Sequence, residues 1–417
     1  MNIKRLETSR LFHRFGFGPR PGEYAQAIKD GVNVTRTKLT IAPAVQTTIS
    51  PVVTPEITDL GKRPEPNSKE IVPFAIAMRA QEQQLGLWWL DLMALSDHGL
   101  TEKMTWFWHG HWATSIQKLN YPLPMFNQNK TLRTQSLGSF NSMVKAMLND
   151  GALQFWLDGQ DSTSKAPNEN LGRELMELFV LGVNRYTEDD VKAISRALTG
   201  YQVVRSTGQV SINPSRRDTK PVTLLGTTAS FTGDSLSDFL VARDDCAQFI
   251  SERLWYRFIS STEVMPASFS AKSAFASRDI ATAVKAMAAD PSMRDEKYAL
   301  VKSPVEWFIS ACRALELTPS KLQTPTQLKS HLDKLGQVPF NPPNVGGWPA
   351  GGAWLSSATA QYRLAFAAWL IKQSPLTALN QIPIESRVLK SADWLGVPEW
   401  SARTQSALRT SLDDPAQ

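Results

Sequence analysis

Cysteine is scarce in this chain. Cys246 and Cys312 are the two, each in an apolar, helix-like stretch, with no CxxC spacing and no histidine nearby. That excludes a disulfide-stapled scaffold and a thiolate finger, and both read as small buried hydrophobes. Histidine is scarce too. His13, His98, His109, His111 and His331 are all there are, so any imidazole chemistry must use one of these five. No stretch reaches the roughly 18 apolar residues of a membrane span. The opening residues MNIKRLETSRLFHRFGFGP hold no apolar run of signal-peptide length. The chain as it stands is therefore expected in the cytoplasm, with export left open through a removed signal or a partner. Charge of one sign is also not in large excess. Lys plus Arg number 45 against 39 Asp plus Glu, and the basic residues are scattered, which argues against a nucleic-acid partner. GxSxG, HExxH, a dinucleotide glycine fingerprint and the kinase set are all missing.

What is present is ordinary globular material with an unusual aromatic share. The 417 residues are 42% apolar, enough for a large core without staples. Thirteen tryptophans are over twice the usual share of about one per hundred residues. They gather at Trp88-Trp89, at Trp106, Trp108 and Trp112, and at Trp348 and Trp354. Tryptophan fills cores by default and also makes stacking platforms for sugars and other flat ligands.

Helical periodicity runs through most of the chain, which predicts a mainly α fold: one large, irregular multi-helical domain over residues 1–417. Two stretches depart from it. Residues 42–68 carry five prolines among Thr, Val and Ser and read as a loop or lid. Residues 201–233 alternate Val, Ile and Leu with Gly, Ser and Pro, which fits a β-hairpin or two short strands. Between them, Thr187 with Asp190 three residues on predicts a capped helix start.

Three stretches could carry chemistry. In the run Met104–Trp112, His109 and His111 are two apart. On an extended strand they could chelate a divalent metal; on a straight helix they point roughly 200° apart and cannot. The flanking Met104, Phe107, Trp108 and His111 share a helical face, while Gly110 could break the helix. Core histidines, metal ligands and an acid–base role for His111 all stay open. In the run 168–178, Asn170, Glu174 and Glu177 fall at i, i+4 and i+7 on one helical face. Two carboxylates and an amide suit an acid–base pair or a metal. A structural helix, with Arg173 pairing Glu169 and Glu177, is the alternative. In the run 341–355, glycines surround Trp348 and Trp354. The loop either pins itself with these rings or offers them as a binding platform.

The strings FHRFGFGPRPGE, EKMTWFWHGHWATS, NENLGRELMELFVLGVNRYTEDDVKAISRALTGY and NPPNVGGWPAGGAWL, in that order, resemble the bacterial domain-of-unknown-function 1800 family. The resemblance implies a mostly helical fold and no established activity. It also implies a domain-of-unknown-function 1501 type protein as partner, and frequent export. The chain departs from the family pattern at four places. Gly110 stands where an amide is usual, Trp112 where Phe is usual, Phe179 where a His is frequent, and Arg216-Arg217-Asp218 where a His-Asp pair is frequent. Any site using those last two histidines lacks them here.

Two functions follow as expectations. One is a hydrolase-like enzyme acting on a polymer or glycan. It would use Glu174, Glu177 and His111 as catalytic groups, with Asn170, Arg173, Trp348 and Trp354 in binding and a divalent metal at His109 and His111 as an option. The other is a non-catalytic binding or assembly protein. The lack of a recognised nucleophile favours binding; polar residues concentrated in apolar motifs favour a site.

Overall fold

The helix Leu100–His111 is buried on all sides, and the fold is organised around it. Leu100, Met104, Phe107 and Trp108 face one large hydrophobic cluster, together with Leu11, Phe140 and Phe179. Trp106 turns the other way, into a second cluster with Trp89, Phe308, Phe340 and Trp348. A helix with large apolar rings on opposite faces has no solvent face, and its charged Glu102 and Lys103 are paired inside, with Arg133 and Glu306. The lack of a solvent face accounts for the density of tryptophans in this stretch.

The computed structural model describes residues 2–41 and 43–412. Residues 1 and 413–417 of the expected chain-long domain, and Ala42 at the start of the expected loop, lie outside the described residues. Among the described residues, 59% are helical, in 21 α-helices and several short 3₁₀ or π segments, and the fold is mainly α. None of these helices is long and apolar enough to cross a membrane.

The strand content is two separate antiparallel hairpins within 201–233. Tyr201–Val204 pairs with Gln209–Ile212, Tyr201 opposite Ile212. Val222–Leu224 pairs with Thr227–Ala229. The 3₁₀ turn Pro214–Arg216 separates them. The helix Glu188–Ala197 starts at a reciprocal capping box between Thr187 and Asp190, as the sequence pattern predicts.

Residues 43–68 carry no helix or strand. They are nevertheless held at intervals. An isolated bridge joins Thr48 to Ser96, the Ile49 amide donates to the Leu95 carbonyl at 2.9 Å, and Ile57 is buried. Proline removes donors, so the segment adheres through a few amides, the side-chain bonds of Gln46 to Glu102, Gln81 to Thr58 and Tyr121 to the Gly61 carbonyl, and the apolar Val52 and Ile57. The long helix Ile71–Leu95 follows. Near the other end of the chain, the helix Ile384–Trp394 returns to the first helix, Ile3–Arg14. There Arg5 pairs with Asp393 at 2.5 Å.

Candidate functional site

The Leu100–His111 helix runs unbroken through Gly110, so the two histidines enter different surroundings. His109 lies among Trp89, Trp106, Phe340 and Trp348, and its Nε2 accepts from the Phe340 amide at 3.1 Å. The Nε2–H of His111 donates to the Phe179 carbonyl at 2.9 Å, on the far side of the helix. Burial pushes both imidazoles down to about 3, and nearby Arg253 adds to the effect on His111. Both rings are neutral and each has its Nε2 engaged by backbone. Among the described residues, no group of three or more His, Cys, Asp and Glu could hold a metal ion.

The carboxylate helix departs from simple α geometry. It is α-helical over Glu169–Glu174 and π-helical over Leu175–Val180, so the i+7 relation of Asn170 to Glu177 is shifted by the wide turn. Asn168 caps its start, accepting from the Asn170 amide at 2.9 Å. Arg173 bridges Glu169 at 3.1 Å and Glu188 at 2.7 Å, not Glu177. Glu177 instead accepts from the Tyr186 hydroxyl. Burial, and then the neighbouring charge of Glu177, raise the Glu174 carboxyl above its ordinary value, against the opposing pull of Arg173. The helix reaches His111 through the Phe179 carbonyl and ring, so the two stretches touch through apolar and backbone groups.

Trp348 and Trp354 are wedged rather than exposed, at 5% and 4%. They form part of the wall of a cavity of about 420 Å³. Trp348 stacks on Trp106, with ring centroids 5.1 Å and planes 25° apart. The loop can approach this closely because Gly347, at φ 79°, sits where a Cβ would lie 2.3 Å from the Gly110 carbonyl oxygen. Gly110 is thus a landing place for the loop rather than a helix breaker.

The rest of the lining is rich in basic groups. The helix Ile3–Arg14 presents Arg10, His13 and Arg14 at helical spacing, and Leu100–His111 presents Lys103 beneath Trp106 and Phe107. Arg257 comes from the end of Asp244–Phe258, and Lys302 from just before Pro304–Leu315. Burial pushes His13 well below its ordinary value, so five cationic side chains line the cavity, against the two carboxylates Glu296 and Glu306. The chain as a whole is nearly balanced at 45 to 39, so this is a local concentration.

The hydrogen bonds show how the cations are held. Arg257 donates to the carbonyls of Trp348 and of Pro349, the latter at 3.0 Å. Arg10 donates to the carbonyls of Met293 and Asp295 at 3.1 and 2.8 Å, and Arg14 to that of Tyr298. Carbonyl oxygens hold these guanidinium groups in place without cancelling their charge. Burial lowers all three, and in Arg14 the charge of Arg10 adds to it. An arginine nevertheless stays protonated in water near neutral pH. Glu306 is bound to Lys103 and also accepts from the Ser303 amide at 3.0 Å. Burial would raise it most, but the charge and hydrogen bond of Lys103 together with the bonds from Ser303 outweigh burial and hold it below its ordinary value. Lys302 donates to the Ser310 hydroxyl at 3.1 Å and is pushed down to about 8, by burial and then by Lys103.

This cavity was not the site expected from Glu174, Glu177 and His111, none of which lines it. Three of the four family strings do meet there: the first through His13 and Arg14, the second through Lys103 and Trp106, the fourth through Trp348 and Trp354. Arg10, Arg257 and Lys302 fall outside all four strings, and no local pattern marks them. No curated protein and no solved structure matches the chain. The family model described as "protein of unknown function (DUF1800)" matches residues 10–417, nearly the whole length, and the chain belongs to that family.

Proposed function

We propose that the protein binds a small anionic ligand with a flat apolar body in the cavity beside Trp348. The observation that carries this reading is the pairing of five cationic side chains with walls of tryptophan around about 420 Å³. That volume lies within the range of small-molecule sites. A carboxylate or phosphate would meet Arg257, Lys302 or the Arg10–Arg14 pair, and a ring would lie against Trp106, Trp348 or Trp354. Charge-assisted hydrogen bonds are stronger than neutral ones, and dry surroundings strengthen them further. This favours the binding reading of the sequence over the hydrolase reading.

The test compares 3-phenyllactate with phenethylamine, similar in bulk and opposite in charge, by intrinsic tryptophan fluorescence. Saturable quenching by the acid and none by the amine supports the reading. Equal response to both, or to neither, removes it.

A second reading keeps the enzyme. Glu174, its carboxyl raised by burial and then by Glu177, stands beside a Glu177 that accepts from Tyr186, which places two neighbouring carboxyls in unlike surroundings. Such a pair could act as acid and base on a glycan or other polymer. Screening of polymer hydrolysis with wild type and Glu174→Gln decides it: activity lost in the folded variant supports it, and none in the wild type ends it.

A further inference from the structure

Lys302 differs from the other basic groups of the cavity. Among the described residues, its Nζ has one hydrogen-bond partner, the neutral Ser310 hydroxyl at 3.1 Å. The nearest carboxylate, Glu306, is taken by Lys103. The other groups that act on the Lys302 amine are Lys103 from Leu100–His111 and His13 from the first helix, while Arg363 from Ser357–Ile371 donates to the Lys302 backbone carbonyl. The Ser310 hydroxyl is confined in turn. Gly18, at φ 100°, lies so near that a Cβ there would be 2.8 Å from Ser310 Oγ. Lys302 therefore lines the cavity with its amine next to other positive charge and, among the described residues, with no ion pair of its own.

We propose that Lys302 captures a 2-oxo acid as an imine inside this cavity. The inference rests on reading the cavity as an anion site, and it names the substrate class: a 2-oxo acid with an apolar or aromatic body. The carboxylate would engage Arg257 or the Arg10–Arg14 pair, placing the adjacent carbonyl carbon before Nζ. The lone pair of neutral Nζ attacks that carbon. A C–N bond forms as the carbonyl π pair moves onto oxygen, which takes a proton. The resulting carbinolamine loses its oxygen as water, with the nitrogen giving up a proton, and a C=N bond remains. Amine plus ketone thus become imine plus water, with no redox change. A lysine becomes a nucleophile when desolvation and a neighbouring cation favour its neutral form. At pH 7 an amine at about 8 is neutral about 300-fold more often than one at the ordinary 10.5.

The experiment treats the full-length protein with phenylpyruvate and sodium cyanoborohydride, which delivers hydride to an imine carbon, and maps the adduct by mass spectrometry. The expected result is one adduct, on the peptide holding Lys302, suppressed by excess 3-phenyllactate and missing in Lys302→Arg. Mapping the wild type alone decides the matter if the variant folds poorly. Adducts spread over exposed lysines such as Lys69 would overturn the proposal, as would no adduct at all. In either case, saturable binding of 3-phenyllactate leaves the anion site standing and removes only the imine. Failure of that acid to bind removes both.

Discussion

Trp106 and Trp348 stack across the contact between the central helix and the Gly-rich loop, with ring centroids 5.1 Å apart. Each ring belongs to the same core cluster and to the cavity wall. The contact therefore carries both stability and site shape. Trp348→Ala should cost about 3–5 kcal/mol, the usual range for deleting a buried large aromatic ring. It should also release Arg257, whose guanidinium is tied to the Trp348 carbonyl. Urea unfolding checks the first effect. A loss under 1 kcal/mol would mean that the loop is not anchored through this ring.

Glu102 is fully buried beneath the same helix. It takes two hydrogen bonds from Arg133, at 2.6 and 3.0 Å, and one each from Trp89 and Gln46. Burial alone would raise this carboxyl, but Arg133 and the other donors outweigh it and hold it below the ordinary value. Arg133→Met should destabilise by roughly 3–5 kcal/mol, because it strands a buried charge. The pH dependence follows from the sign. A depressed folded value contributes stability above the unfolded value, near 4.5, and that stability is lost as pH falls through the folded one. Chemical unfolding of the wild type below pH 4.5 should show the loss, with a smaller slope in Arg133→Met.

Asp150 has the opposite sign. It caps the helix Gly151–Trp156, accepting from the Leu153 amide at 2.8 Å, and burial pushes it up to about 6 from 3.8. The folded state then binds the proton more tightly than the unfolded one. Its contribution is fully present below about 3.8 and is lost as pH rises towards 6. The difference corresponds to about 3 kcal/mol as an order of magnitude. Asparagine caps as well as aspartate and cannot ionise. Asp150→Asn should therefore match the wild type near pH 4 and exceed it at pH 7, which melting curves at the two values would show. A variant less stable at pH 7 would contradict this.

The helical architecture was legible because it is local. Periodicity, the Thr187–Asp190 box and the proline-rich run each state their structure within a few residues. The π-helical turn at Leu175–Val180 was not legible. A run such as Leu175-Met176-Glu177-Leu178 suits either winding, and the choice is made by packing around Phe179 and Leu181. It left Arg173 to Glu188 and Glu177 to Tyr186, partners that i±4 counting does not reach. The cavity was legible in part. Trp348 and Trp354 stood out as a platform, but Arg10, Arg257 and Lys302 come from three distant segments, each an ordinary basic residue until the chain folds.

The segment 43–68 should be the first place a protease cuts. It carries no helix or strand, and several of its residues beyond Ile57 are exposed. Its backbone bonds with Leu95 and Asp97 lie near its start, and Gln81 and Tyr121 hold Thr58 and the Gly61 carbonyl, so the expected cuts fall after Gly61. Limited proteolysis with mass mapping checks this, and a first cut within Leu100–His111 would contradict it.

The account turns on whether the cavity holds an anion. Isothermal titration of 3-phenyllactate into the protein, at 0.1 M and about 1 M salt, tests that most directly. One saturable site is predicted. Its affinity should fall roughly tenfold or more in Arg257→Met, the loss of one charge-assisted hydrogen bond. It should fall more modestly at the higher salt, where screening acts over about 3 Å but reaches a buried pair poorly. No heat of binding, or the same affinity in folded Arg257→Met, Arg10→Met and Lys302→Met variants alike, would contradict the account.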